Sequence, residues 1–130
     1  MPRIVVRNRE AIRIEQVVFA PSVFGTTWYV DGTNGADANT GKDPRDAFAT
    51  LGQARTSSAA GDTIVIAPGT YTQTAAAQPL TPKARTLWLA AVPAFMGKPT
   101  VKITGTAEAV LVDVDVDGVV FQGIEFEADS

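Results

Sequence analysis

The sequence predicts an all-β chain: short strands stacked in parallel, entered through a capping helix and preceded by an extended, β-rich arm. Three observations predict it. Of 130 residues, 45% are hydrophobic and 19% charged, the balance of a packed fold rather than a disordered one. With 11 Gly and 8 Pro the chain favours many short strands and tight turns over a helical bundle. Similar segments also recur. TIVIA at 63–67 matches TLWLA at 86–90, a spacing of 23, and LVDV at 111–114 follows with Leu111 a further 24 beyond Leu87. A second set, residues 78–80, 101–103 and 124–126, keeps the spacing of 23. Two strands per repeat at this period fit a solenoid of parallel strands. A small antiparallel sandwich would need hairpins about every 8 to 12 residues, and Asp117-Gly118 is the one good turn dipeptide.

Taken in order, residues 1–27 read as an arm and linker, and 28–130 as the capped start of the stack. The arm holds two extended pieces, residues 4–6 and 12–19, where Ile12, Arg13, Ile14 and Glu15 alternate apolar with charged. Pro21 and Gly25 mark the linker. WYV at 28–30 is a short strand running into a polar loop, DGTNGADANTGKDP. Asp46 is the expected N-cap of a helix through about Ala59, with Phe48 and Leu51 on one side and Gly61 as its stop. Such a helix must cover something apolar, here the open end of the stack.

Composition limits the chemistry. With no His and no Cys, the Ser-His-Asp and Cys-His nucleophile systems, His-ligated metals, thiolates and disulfides are all excluded. A net charge of -3 implies no polyelectrolyte attraction to nucleic acid. Charge is concentrated differently at the start, where Arg3, Arg7, Arg9 and Arg13 outweigh Glu10 and Glu15. These charges interrupt every apolar run, so the arm reads as neither a secretory signal nor a membrane anchor, and synthesis in a cytoplasm is expected.

WYVDGTNGADANTGKDPRDAFATLGQA followed by AAGDTIVIAPGTYTQ resembles the opening of right-handed parallel β-helix proteins of the pectate-lyase-like superfamily. The similarity covers residues 28–73, and VFQGIEF at 120–126 is similar to the rungs that follow. The resemblance implies a right-handed parallel β-helix whose first rungs lie behind a capping helix. It is compatible with polysaccharide lyases and hydrolases, bacterial surface proteins, and the trimeric tailspikes and fibres of bacteriophages. The arm is similar in position to the virion-binding head of such spikes. The leading expectation is therefore a structural component of a virion: an attachment arm, residues 1–20, docking other virion proteins through its four arginines, and first rungs that would present a region binding a receptor or host surface polysaccharide. The alternative is the N-terminal part of a polysaccharide lyase or glycoside hydrolase with its active site beyond residue 130.

No catalytic residue is assigned. Asp37, Asn39 and Asp43 have spacings resembling a calcium loop, but the EF-hand glycine would fall at Lys42 and no glutamate closes the site, so an Asx-rich turn is favoured. Asp113, Asp115 and Asp117 alternate with valines, which places three carboxylates on one strand face. Neighbours on one strand make no sugar-sized groove, and a solvated face is the simpler reading. Tyr71 reads as a packing residue at a corner. Val65 and Trp88, each between two apolar neighbours, make both faces of the strand stack apolar, so their burial by further copies in a homotrimer is expected.

Overall fold

A computed structural model describes residues 4–6, 11–16, 25–74, 79–92, 96–105 and 111–128. Over these described residues the fold is mostly β, built on a parallel sheet, with one α-helix. Its strands are β1 (Ile4–Val6), β2 (Ala11–Gln16), β3 (Thr27–Val30), β4 (Thr63–Ile66), β5 (Gly69–Gln73), β6 (Leu87–Ala90), β7 (Val101–Gly105), β8 (Val112–Val114) and β9 (Val120–Ala128), and its helix is α1 (Leu51–Ser57).

Alternation within each short strand sends every second side chain inward, and parallel pairing stacks these into columns. β3, β4, β6 and the front of β9 pair in parallel, so Trp28, Ile64, Trp88 and Phe121 occupy one row. β5, β7 and the back of β9 pair likewise, aligning Tyr71, Ile103 and Phe126. Leu80 forms a parallel bridge with Val112 at the head of β8, a third contact line. Ile64, Ile66, Trp88, Val101, Ile103, Leu111 and Ile124 are fully buried in one continuous core. Strand β9 serves two stacks because Gly123 lies between Gln122 and Ile124 with φ +74°, a corner that favours a residue without Cβ.

The register corrects the spacing read from sequence. Ile64 pairs with Trp88, 24 residues on, so TIVIA and TLWLA are offset by one from the expected match. A one-residue slip exchanges the faces, and Trp88 consequently points into the core. Segment 111–114 is not the third member of that stack. Phe121, 33 residues after Trp88, takes the place. The pairing of 101–103 with 124–126 is as expected, whereas β7's other neighbour is β5 rather than 78–80. Unequal corners explain the mixture: β4 and β5 are separated by Ala67 and Pro68, β6 and β7 by residues 91–100, and the two halves of β9 by Gly123 alone.

The helix is also shorter than expected. Asp43 caps a 3-10 turn, Pro44–Asp46, by accepting from the Arg45 N–H, and the chain is extended at Ala47 before Thr50 caps α1. Phe48 therefore sits not on the helix but in a bridge to Val30. Its N–H donates to Tyr29 O at 2.9 Å and its carbonyl accepts from the Asp31 N–H at 2.8 Å, satisfying the outer edge of β3. Phe48 and Leu51, 2% and 0% exposed, lie against the first strand of the stack.

The arm is not extended away from the stack. β2 pairs antiparallel along β9, with Ile12 opposite Phe126 and Ile14 opposite Ile124, and β1 pairs antiparallel with β8. Residues 122 and 124–127 thus have a strand on either side.

Candidate functional site

A polar constellation joins the start of β3 to the turn that follows α1, and Asp62 is its centre. This carboxylate, just ahead of β4 and 6% exposed, accepts from Thr26 N–H at 2.9 Å, Ala59 N–H at 2.8 Å and Trp28 Nε1 at 2.8 Å. Burial pushes its pKa up, but the bonds from Trp28, Ala59 and Thr26, with the Lys83 charge nearby, outweigh this and leave it below the usual carboxylate range. Lys83 donates to Ser58 O at 2.6 Å at the C-terminal end of α1. Tyr71 works similarly at the next corner. Its hydroxyl donates to Ala67 O at 2.7 Å and accepts from Gly32 N–H at 3.2 Å, while burial raises its pKa and keeps it protonated.

Asp37, Asn39 and Asp43, the weak calcium-loop match, are engaged within the loop. Asp37 accepts from Ala49 N–H, Thr50 N–H and the Thr50 hydroxyl. Asn39 donates to Ala47 O at 2.9 Å, and the Asp43 carboxylate holds the Arg45 N–H at 2.8 Å. They fasten the loop to the start of α1, the role of Asx turns and caps. Asp31 is held below the usual carboxylate range by the Asn34 N–H, with Thr33, and Asp46 by the Thr40 hydroxyl and N–H. Among the described residues no group of three or more acidic, His or Cys side chains could hold a metal ion.

On β8, Val112 and Val114 are buried, Asp113 is half-buried and Asp115 beyond the strand is exposed, so the valines face inward. Trp88, expected at a subunit interface, is fully buried within one chain. Its indole N–H donates to Thr86 Oγ1 at 2.9 Å. Val65 does face outward and is half-buried, in a row with Tyr29, Leu89 and Gln122. Beside this row, Tyr29, Val65, Ala67, Ala91 and Pro44 line an apolar cleft of about 140 Å³. A second cleft of about 150 Å³ lies between Thr50 and Leu51 of the cap and Thr70, Tyr71 and Gln73 of β5. Arg3, Arg7 and Arg9 lie outside the described residues. Arg13 stands opposite Glu125 in the β2–β9 register.

Asp62, Lys83 and the Tyr71 hydroxyl were not singled out in the sequence. A signal existed for the first: a carboxylate between Gly61 and a β-branched run sits where a strand begins and backbone N–H groups need an acceptor. No family model matches the chain, nor does a curated protein or a solved structure.

Proposed function

We propose that the chain is the capped first part of a right-handed parallel β-helix and serves as a structural module of a virion spike or tail fibre, supporting a region that binds a receptor or host glycan. The observation that carries the structural half of this reading is the use of the carboxylates. Asp31, Asp46 and Asp62 all have lowered pKa values and accept from backbone N–H, amide, hydroxyl or indole donors. A glycosidase acid needs the opposite shift and an open position beside the sugar. Calcium has no part in this reading, because Asp37, Asn39 and Asp43 already brace the loop. The virion assignment rests on the resemblance over residues 28–73.

Self-association is part of the proposal, with its residues revised. The row Tyr29, Val65 and Leu89 presents half-buried apolar side chains on the outer face, and threefold packing of such faces would remove them from water. The test has two readings. Sedimentation equilibrium should give a trimer that Val65→Lys with Leu89→Lys converts to a monomer; a monomeric parent protein overturns the association. Incubation with pectin, polygalacturonate and host capsule, with calcium, should yield no unsaturated or reducing-end products. Turnover would favour the lyase or hydrolase.

A further inference from the structure

We propose that the edge of β9 is a strand-docking site exchangeable between copies of this chain, so that residues 11–16 of one copy cap the last strand of another. β2 is an addition to the sheet rather than a member of its repeat: every other pairing in the seven-stranded sheet is parallel, and this one is antiparallel. What the edge recognises is a register. Arg13 stands opposite Glu125, whose neighbour on the other side is Lys102, so charge alternates across three adjacent strands, and Ile12 and Ile14 stand opposite the buried Phe126 and Ile124. A slip by one residue would break both matches. The match depends on the segment's sequence and not on which chain supplies it, which is the condition for exchange of an identical element.

The tether is long enough for the arm to leave its own edge and return to it. The row Gln16, Gln122, Leu89, Val65, Tyr29 crosses four inter-strand steps, a span of about 19 Å at the usual strand spacing. Residues 17–26 precede β3, and a run of that length reaches roughly 33 to 36 Å when extended. A copy's own arm competes at an effective concentration in about the millimolar range, so exchange appears in concentrated samples or where copies are already held together.

The absence of native cysteine makes the test direct. Full-length Arg13→Cys and Glu125→Cys proteins are mixed, concentrated to about millimolar, diluted and oxidised. Directly opposed antiparallel residues lie within disulfide reach at about 4.5 to 5.5 Å. Lys102→Cys, one strand further from the arm at roughly 9 to 10 Å, supplies the control. The expected result is a covalent heterodimer joined 13 to 125, in at least about tenfold excess over a 13-to-102 product. If the double variant cross-links only within a chain while the mixed single variants do not join, the arm is a fixed cap and the exchange is refuted. No 13-to-125 link in either sample refutes docking on β9 altogether. The outer-face association is probed separately through Val65 and Leu89, so each idea fails by its own measurement.

Discussion

Asp62 shows how one side chain couples the first strand to the helix turn beneath it. Removing its carboxylate would strand the Thr26 and Ala59 N–H groups and the Trp28 indole, so Asp62→Ala should cost about 2 to 4 kcal/mol in urea unfolding. Because its pKa is lowered in the folded state, the ionised form stabilises the fold above the unfolded value of about 4, and that contribution is lost as pH falls through the lower folded value. The stability gap between the parent protein and Asp62→Asn should therefore be constant near neutrality and narrow below about pH 4; a gap that widens on acidification would contradict the assignment. Phe48, stacked on Trp28 at 5.9 Å and buried, should cost about 3 to 5 kcal/mol on truncation to Ala. The acid before the strand was visible in the sequence, but its three donors come from segments 3 to 36 positions away, which spacing alone does not bring together.

The elements were legible in kind and less so in extent. The β-branched runs at 63–66 and 101–103 became strands where the pattern placed them, since alternating apolar residues have one buried face to satisfy. The helix lost its first turn to the extended backbone at Ala47 and to the pairing of Phe48 with Val30, a tertiary contact that overrides the local preference for Asp46 as a cap. Thr50 is the cap that matters: Thr50→Ala should remove the acceptor for Gln53 N–H and cost about 1 kcal/mol, read by thermal unfolding. At the corner of β9, Gly123→Ala should cost about 1 to 2 kcal/mol through its positive φ, and an unchanged midpoint would mean that the two halves of β9 are not joined by this corner. Its role could not be read from VFQGIEF, where one glycine inside a strand pattern signals a bulge, a close approach or a bend alike.

At the scale of the whole molecule, Trp88 should report burial within a single chain. Its emission should stay shielded from iodide whether or not Val65→Lys with Leu89→Lys abolishes association; quenching that appears on dissociation would return Trp88 to an interface. Composition, the alternating runs and the strand-loop-helix-strand order were enough to establish a mostly β chain with parallel pairing, because these depend on local period and on which residues avoid water. They also excluded histidine and cysteine chemistry outright. What only the tertiary structure decided was the register and the fate of the arm. Consecutive strands are joined by corners of unequal length, so segments that align in sequence at 23 pair in space at 23, 24, 32 or 33. The arm's alternating pattern demands a partner strand without naming one. Its place on β9 follows from an edge that exists only once the preceding strands have stacked.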